Sequence, residues 1–350
     1  MKFLLENSPH DRSDKNKTSV IMFMIIAGMI PAVIMHIYCF GLGLIWHLLI
    51  SCPLAALAES VCLKLRGYSA LKGMKDFSIQ VTAVIYCLAI PPYLSWGLTA
   101  TGIIFATVIV KQCFGGLGQN TFNPAMAAYI LLLISAPTAM NNWSIPDHDT
   151  KYNAAQTYQL IAGKAEIKET ADAVTSPTPL GQFKIEKSNR IKETNHIIVD
   201  ALPRIRDFIH DNPMVAMNIA YFFGGLLLML FGYVSTSQPV TFLVVLMGTA
   251  FLYSYLGRIY GFPAIAPIEH LVIGATMMGA FFIITDPVSS PTMVTGKIIS
   301  AAIIAFLVVT IRTFGSYPDA VAFAALLGNS FNPLINKLVT PSRFGSAEKI

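Results

Sequence analysis

The apolar run VIMFMIIAGMIPAVIMHIYCF, residues 20–40, decides the fold class of this chain. It contains no Asp, Glu, Lys or Arg, and it is long enough to cross a hydrocarbon core about 30 Å thick. The preceding residues 1–19 are polar, carry four basic side chains and show no small-residue cleavage site. This arrangement predicts an uncleaved membrane anchor with a cytoplasmic amino-terminal segment.

The composition extends this prediction to the whole chain. Of the 350 residues, 54% are hydrophobic and only 12% are charged, whereas soluble domains are about one quarter charged. The basic excess behind the formal charge of +5 lies on short flanks of the apolar segments, without a clustered patch. The composition therefore excludes a soluble enzyme and argues against a nucleic-acid surface.

Further apolar segments predict an all-α polytopic membrane protein of about ten transmembrane helices. They lie near residues 42–63, 77–94, 97–114, 124–137, 214–233, 240–256, 267–285, 298–311 and 320–335. One large polar loop, residues 141–213, separates a first transmembrane half, residues 20–140, from a second, residues 214–336. The crossings place this loop outside the cytoplasm, on the periplasmic side, and the basic tail, residues 337–350, in the cytoplasm. Since several segments are short, nine crossings are the alternative.

A short motif recurs in the two halves. Residues 114–124, FGGLGQNTFNP, match residues 323–333, FAALLGNSFNP, at six of eleven positions. Repeats interrupted by Gly or Pro are typical of broken helices that line a central site, so the motif indicates two related five-helix halves. Chance recurrence of a helix-breaking sequence is the alternative. The predicted crossings put both copies on one side, which leaves the type of symmetry open.

The polar loop contains the segment DAVTSPTPL, residues 172–180. Pro177 and Pro179 flank Thr178 and keep its backbone out of a helix, so we expect the hydroxyl to lie on an accessible surface. A threonine hydroxyl is a poor nucleophile without an activating base or metal. Modification by a separate enzyme is therefore the functional interpretation, and a stiff loop connector is the alternative.

This segment resembles the flavinylation motif of the NqrB/RnfD family, which occurs in Rnf complexes and in sodium-pumping NADH:quinone reductases. The resemblance implies that Thr178 carries FMN through a phosphoester, attached by a dedicated flavin transferase. It also places Asp172, Thr175 and Ser176 in the recognition pattern. Pro177 and Ser176 depart from the residues that are usual in the family, but the acceptor position is unchanged.

The likeness covers nearly the whole chain and favours the RnfD branch of the family. It includes residues 114–126, 285–291 and 317–345, and the chain lacks the longer amino-terminal region of NqrB. The resemblance implies a flavin-carrying subunit of a translocase in the bacterial inner membrane, which is not an enzyme on its own. Its complex would couple electron transfer between ferredoxin and NAD to ion translocation. The implied partners are the subunits RnfA, RnfB, RnfC, RnfE and RnfG, and an NqrB-like subunit is the alternative.

A glycine-rich stretch precedes a predicted helix start at Asn123. Gly115, Gly116 and Gly118 would let the backbone approach a ligand closely. The resemblance implies that riboflavin is bound non-covalently within the membrane part, and amides at the helix start could point at such a ligand. Packing of helices through small residues is an alternative of equal weight.

Several ionisable residues lie within or beside the apolar segments: His36, His47, Glu59, Arg258, Glu269, His270, Asp286 and Arg312. Ionisable groups at membrane depth are costly and are therefore functional candidates. We expect Asp286, which precedes a proline, and Glu59 to take part in ion or proton movement. For most of the others, an interfacial or paired structural role is the more ordinary interpretation.

The cysteines give no sign of a disulfide framework or a complete metal site. They lie in or beside apolar segments, without a CxxC pair: Cys39, Cys52, Cys62, Cys87 and Cys113. Small buried residues are the ordinary interpretation. Iron–sulfur ligands shared with another subunit are the alternative.

Two hypotheses from other functional classes remain open at this point. A solute channel or transporter would also have about ten helices, an internal repeat and polar residues at membrane depth. A structural anchor for soluble redox proteins would carry no redox group of its own. Thr178 discriminates between these hypotheses, because only an electron carrier requires a flavin attachment site.

Overall fold

The computed structural model describes residues 18–69, 74–143, 152–163, 213–262, 265–272, 274–315 and 320–339. Every regular element in these ranges is helical, which confirms the predicted all-α polytopic membrane fold. The flavinylation segment, with Asp172, Thr175, Ser176 and Thr178, lies outside the described residues.

The first half starts with two long helices and continues with shorter ones. Its helices are α1 (Thr18–Phe40), α2 (Gly43–Leu65), α3 (Ser78–Ala89), α4 (Trp96–Phe105, extended by a π-helix over Ala106–Gln112), α5 (Pro124–Ser135), α6 (Pro137–Asn141) and α7 (Ala154–Ile161). Helices α3 and α5 have 12 residues each and are only about 18 Å long. Both are too short to cross a membrane alone, so the predicted spans near residues 77–94 and 124–137 are half-length helices.

The second half also contains a broken helix. Its helices are α8 (Pro213–Leu230), α9 (Ser237–Tyr260), α10 (Glu269–Val272), α11 (Thr276–Met278, extended by a π-helix over Gly279–Ile283), α12 (Val294–Phe314) and α13 (Val321–Val339). The predicted span near residues 267–285 is thus divided between α10 and α11. Within the described ranges, four helices are long and apolar enough to cross a membrane by length and composition: α1, α2, α9 and α12.

Helices α1 and α8 lie side by side and join the two halves. A Cβ atom added at Gly224 would lie 1.9 Å from the carbonyl oxygen of Gly28, and one added at Gly28 would lie 2.7 Å from the Leu228 side chain. Only glycine permits such an approach, because the two backbones come into direct contact. Small residues at a helix crossing are typical of membrane bundles.

The starts of α1 and α8 lie at opposite ends of the bundle. Met22, in the first turns of α1, lines the same cavity as Lys111. Asn218, in the first turns of α8, donates a hydrogen bond to the carbonyl oxygen of Gly274 at 2.7 Å, and Gly274 lies against Arg312. We therefore call the two ends of the bundle the Lys111 end and the Arg312 end.

The contacts at the far end of α8 agree with this orientation of the helix. Gln238, just after α8 and at the start of α9, donates a hydrogen bond to the carbonyl oxygen of Ile284 at 2.8 Å. Ile284 is close in sequence to Asp286, which lines the cavity at the Lys111 end. The first half thus enters the bundle at the Lys111 end and the second half at the Arg312 end. The two halves therefore run in opposite directions, which is the arrangement of an inverted repeat.

The recurring motif does not follow this inverted symmetry. Asn123 and Pro124 start α5, where the Asn123 side chain caps two backbone N–H groups, whereas Asn332 and Pro333 lie inside α13. The two copies lie at the same end and touch: the Asn123 N–H donates to the side-chain oxygen of Asn329 at 3.2 Å, with that amide suitably oriented. An Asn-Pro pair caps a helix that begins from a loop, but inside a helix it only removes one backbone donor.

Candidate functional site: a buried ion pair beside a cavity

A buried lysine joins three helices of the first half. The Nζ atom of Lys111 lies 2.6 Å from the Oε1 atom of Glu59, and the two side chains are only 3% and 2% exposed. The same ammonium group donates a hydrogen bond to the Oγ atom of Ser78 at 2.6 Å. Because an unpaired charge at this depth would be strongly destabilising, these contacts fix the ends of α4 and α2 and the start of α3 together.

Further polar groups extend this ion pair toward the surface. The Gln112 amide donates to Glu59 Oε1 at 2.9 Å, and Arg66 donates to the Gln112 oxygen at 2.9 Å. On the other side, the hydroxyl of Ser78 donates to the Oδ1 atom of Asp76 at 2.7 Å. The network therefore alternates basic, acidic and neutral groups, and it satisfies most of the polar atoms that it buries.

Arg66 also holds the glycine-rich loop that follows α4. Its guanidinium donates to the carbonyl oxygen of Gly115 at 2.8 Å, and a Cβ atom at Gly116 would lie 3.2 Å from its Nη1 atom. Gly115, Gly116 and Gly118 all have positive φ angles, of 116°, 90° and 87°, which favour glycine. The backbone conformation and the contact with Arg66 account for the first two glycines. Gly118 faces open space.

A small cavity with a mixed polar and apolar lining lies next to Lys111. Its volume is about 40 Å³, and the polar side chains that line it come from both halves: Ser78, Thr82, Lys111, Asn120, Asn123 and Asp286. This volume accommodates about three water molecules. A flavin ring is far larger, so riboflavin does not fit this cavity, although Asn123 is among its lining residues.

The two predicted ion-pathway residues, Glu59 and Asp286, lie on either side of the same lysine: Glu59 is paired with Lys111, and Asp286 lines the cavity that Lys111 also lines. Asp286 is half-buried and accepts hydrogen bonds from the Val288 N–H at 3.3 Å and the Ser289 hydroxyl at 2.9 Å. The Oε2 atom of Glu59 is buried without a hydrogen-bond partner among the described residues. Among the described residues, Glu59 therefore pairs with Lys111 directly, whereas Asp286 borders the same cavity with its own hydrogen-bond donors.

Each π-helix leads directly to a residue of this site. Lys111 lies in the π-helix that ends α4, and Asp286 follows shortly after the π-helix that extends α11. A π-helical turn contains an additional residue and is frequent at functional sites. Both turns thus change the direction in which the following side chains point.

Arg312 occupies the inverted counterpart of the Lys111 position. It lies in the last turn of α12 and donates to the Thr276 hydroxyl, at the start of α11, at 2.8 Å, as Lys111 donates to the first residue of α3. It also donates to the carbonyl oxygen of His270 at 2.8 Å. Gly274, with a φ angle of 67°, leaves room for the guanidinium, which a Cβ atom there would approach to 2.9 Å.

His47, in α2, makes hydrogen bonds that have a structural role. The His47 ring bridges the carbonyl oxygen of Pro92 at 3.1 Å and the hydroxyl of Thr99 at 3.1 Å. His36 is fully buried and packs against the Phe40 ring with a centroid distance of 4.9 Å. The sequence had favoured paired roles for such residues, and His47 and Arg312 show them.

The other ionisable candidates and the cysteines do not join this site. Arg258 is exposed near the end of α9, and a Glu269 carboxylate oxygen accepts the Ala266 N–H at 3.3 Å in the α10 region. Cys87 is buried, whereas Cys113 is exposed. No group of three or more His, Cys, Asp or Glu side chains within the described ranges is placed to hold a metal ion.

Near the connection between α3 and α4, aromatic contacts tie the bundle to the residues that begin the polar loop. The Tyr93 hydroxyl donates to the carbonyl oxygen of Phe40 at 3.1 Å, and the Tyr93 and Tyr152 rings lie 5.8 Å apart. Burial raises the pKa of Tyr93 to about 12, and the neighbouring Tyr152 adds to the rise. This hydroxyl therefore stays protonated at neutral pH.

Lys111, which contacts both Glu59 and Ser78 in this site, was not predicted from the sequence. It lies inside the predicted span near residues 97–114, and a charged residue in an apolar run was available as a signal. Ser78 and Arg66 had no comparable signal, because each lies at the end of an apolar segment, where polar residues are ordinary.

Comparisons with known proteins agree over nearly the full length of the chain. The profile of the NQR2, RnfD, RnfE family matches residues 4–345. A Tolumonas auensis protein, named as the D subunit of an ion-translocating oxidoreductase complex, is 37% identical over 348 residues, which are 96% of this chain and 97% of that protein. Proteins of the same name are 37% identical in Vibrio cholerae (99% and 100% covered) and 34% identical in Escherichia coli (99% of each covered).

Proposed function

Because the chain belongs to the NQR2, RnfD, RnfE family, we propose that it is the flavin-carrying membrane subunit of RnfD type in an ion-translocating oxidoreductase complex. The observation that carries this proposal is the near-complete coverage of relatives named as the D subunit of such a complex, at 34% to 37% identity. Coverage of 97% to 100% of those proteins favours the RnfD branch over an NqrB-like subunit.

The proposed complex transfers electrons between ferredoxin and NAD and couples this transfer to ion translocation. The chain would lie in the bacterial inner membrane with the subunits RnfA, RnfB, RnfC, RnfE and RnfG as partners. Helices long enough to cross a membrane support a multi-pass location. The basic residues of the amino-terminal segment support its placement in the cytoplasm, with the polar loop on the periplasmic side.

Thr178 is the proposed attachment site of FMN, through a phosphoester formed by a flavin transferase. The flanking prolines support an extended, accessible hydroxyl. A covalent tether would keep a solvent-exposed flavin at a high effective concentration near its redox partners. Riboflavin remains a second proposed cofactor, bound outside the cavity beside Lys111, which is too small for it.

The ion that the complex moves is proposed to pass Glu59 and Asp286. Support comes from the burial of Glu59 in its ion pair with Lys111 and from the position of Asp286 on the cavity that Lys111 also lines. Both residues lie between halves that run in opposite directions, where transporters place their sites. The same inverted arrangement would suit a solute transporter. The names of the full-length relatives favour the redox complex instead.

The attachment of FMN can be tested directly on the denatured chain. Full-length protein is produced in cells that contain the flavin transferase, and in-gel flavin fluorescence is recorded for the wild type, for Thr178→Val and for the matched control Thr170→Val, which lies before the motif. We expect fluorescence in the wild type and in the control, and none in Thr178→Val. Mass spectrometry of the peptide with residues 172–180 should show the added mass of FMN less one water. An unmodified peptide would contradict the electron-carrier proposal and favour a transporter.

A further inference from the structure

Two cysteines at the Lys111 end of the bundle are accessible to solvent. Cys62 is half-buried in the last turn of α2, and Cys113 is exposed directly after the π-helix that extends α4. Cys87, in contrast, is buried inside α3. The ordinary interpretation of a cysteine as a small buried apolar residue therefore does not apply to Cys62 and Cys113.

The side chain of Gln112 holds the end of α4 against the face of α2 that contains Cys62. Its amide donates to Glu59 Oε1 at 2.9 Å, and its oxygen accepts from Arg66 at 2.9 Å. Glu59 and Arg66 lie three residues before and four residues after Cys62, and residues at these spacings share one face of a helix. Cys113 follows Gln112 directly, and its thiol interacts electrostatically with that of Cys62. The two cysteines are therefore neighbours where α2 meets the end of α4.

We propose that Cys62 and Cys113 form a reversible disulfide, so that this pair is an oxidation site of the chain. The inference is independent of the proposed function, because it involves neither the flavin nor the translocated ion. A disulfide requires Cβ atoms about 3.5–4.5 Å apart. Cys113 can adjust to this distance, since it lies beyond the last residue of the π-helix and shortly before Gly115 and Gly116, which have positive φ angles.

The oxidant that fits this pair is a small hydroperoxide. Cys113 is the more exposed thiol, so its thiolate attacks a peroxide oxygen, the O–O bond breaks, and hydroxide leaves and takes up a proton. The sulfur of Cys62 then attacks the sulfenic acid on Cys113. The S–O bond breaks, the S–S bond forms, and the departing hydroxide leaves as water with the Cys62 proton. Two thiols and one hydrogen peroxide thus give one disulfide and two water molecules.

The proposed topology places this pair in a reducing compartment. Helix α1 enters the bundle at the Lys111 end, and the amino-terminal segment before it is assigned to the cytoplasm. Disulfides in the cytoplasm are reduced again by cellular thiols and are transient where they occur. A disulfide at this position is therefore a reversible response to an oxidant, in contrast to a permanent cross-link.

The disulfide would join covalently two segments that Gln112 joins by hydrogen bonds. It would also restrict the glycine-rich loop, which begins directly after Cys113 and whose Gly115 carbonyl oxygen is held by Arg66. This loop leads to Asn120, which lines the cavity beside Lys111. Oxidation would thus limit the movement of a loop that borders the cavity.

The test counts free thiols in native membranes that contain the full-length chain. Membranes are reduced with dithiothreitol, treated with hydrogen peroxide and denatured, and the free thiols are labelled with a maleimide that carries polyethylene glycol. The reduced chain has five cysteines and should gain five labels, whereas the oxidised chain should gain three. Dithiothreitol should restore five labels. Cys39→Ser, a change in α1 outside the pair, is the matched control and should fall from four labels to two.

Variants of the pair identify the thiols and the order of the steps. Cys113→Ser should keep four labels after peroxide. In Cys62→Ser, the sulfenic acid on Cys113 has no second thiol to react with and should be captured by dimedone. Should either variant fail to enter the membrane, mass spectrometry of the oxidised wild type decides the question, because a peptide pair linked through Cys62 and Cys113 is required.

Three results would overturn the inference: five labels on the peroxide-treated wild type, loss of a single label, or a disulfide that links two chains. Loss of two labels from Cys113→Ser would also overturn it, since the disulfide would then join other cysteines. FMN on Thr178 is measured separately on the same chain. A failed disulfide therefore leaves the proposed function standing, and a missing flavin leaves the disulfide standing.

Discussion

Each end of the bundle contains one buried basic side chain, Lys111 or Arg312, but the groups around the two side chains differ. At the Lys111 end, a lysine is held by two side chains, the carboxylate of Glu59 and the hydroxyl of Ser78, and it borders a small cavity. At the Arg312 end, an arginine is held by a hydroxyl and by the backbone carbonyl oxygen of His270. Lys111 and Arg312 thus occupy corresponding positions in the two halves but contact different groups.

The two sets of contacts restrict the basic side chains to different degrees. The Arg312 guanidinium donates to a backbone carbonyl oxygen and to a hydroxyl, and it has little freedom because its planar geometry is matched to these two partners. The Lys111 ammonium group lies on a flexible stem and is held by side-chain oxygens. We infer that the Arg312 side chain is the more rigidly held of the two.

The largest expected effect comes from removing the buried lysine charge. Lys111→Met leaves the Glu59 carboxylate buried without its cation, and we expect the free energy of unfolding to fall by about 3–5 kcal/mol. Unfolding in mixed micelles with added denaturing detergent measures this change. The double variant Glu59→Leu/Lys111→Met should recover most of the loss, because an apolar pair needs no counter-charge. A loss below about 1 kcal/mol in the single variant would contradict the ion pair.

A smaller effect is expected at the crossing that aligns the two ends. Gly224→Ala would place a Cβ atom 1.9 Å from the Gly28 carbonyl oxygen, so α1 and α8 must separate, at a cost of about 1–3 kcal/mol. Gly248→Ala, on the exposed face of α9 with nothing within 4 Å of the new Cβ atom, is the matched control and should be neutral or slightly stabilising. Equal stability of the two variants in the same unfolding assay would show that the halves do not meet at Gly28.

The smallest expected effects compare the two hydroxyl partners. Ser78→Ala removes the hydroxyl that accepts from Lys111, and Thr276→Val removes the one that accepts from Arg312. Each should lower the free energy of unfolding by about 1–2 kcal/mol, since a hydrogen bond to a charged group is lost. In a Lys111→Met background, Ser78→Ala should cost less than in the wild type, whereas the cost of Thr276→Val should be unchanged. An unchanged cost of Ser78→Ala in that background would contradict its contact with Lys111.

Sequence patterns predicted the helical membrane fold but overestimated two helix lengths. Residues 90–94 are almost all apolar, so hydropathy extends the third segment through them. Pro91 and Pro92 lack backbone N–H groups, and α3 therefore ends at Ala89. At α5, a second Pro in the apolar run, Pro137, ends the helix in the same way.

The candidate site could be predicted only in part. Glu59 and Asp286 were recognisable because a carboxylate within or beside an apolar run is costly wherever the chain folds. Their proximity to Lys111 could not be predicted, because it depends on how the two halves pack against each other. The recurring Asn-Pro motif left the symmetry of the halves open, and its two copies are not equivalent in the structure.

The π-helix over Ala106–Gln112 has a consequence for how the chain tolerates deletions. In an α-helix, removing one residue turns every later side chain by about 100° around the axis. The π-helix contains an additional residue, so deleting Val108 would instead convert the wide turn into an ordinary one and leave the residues beyond it near their positions. This segment should therefore tolerate the loss of one residue better than a regular helix would.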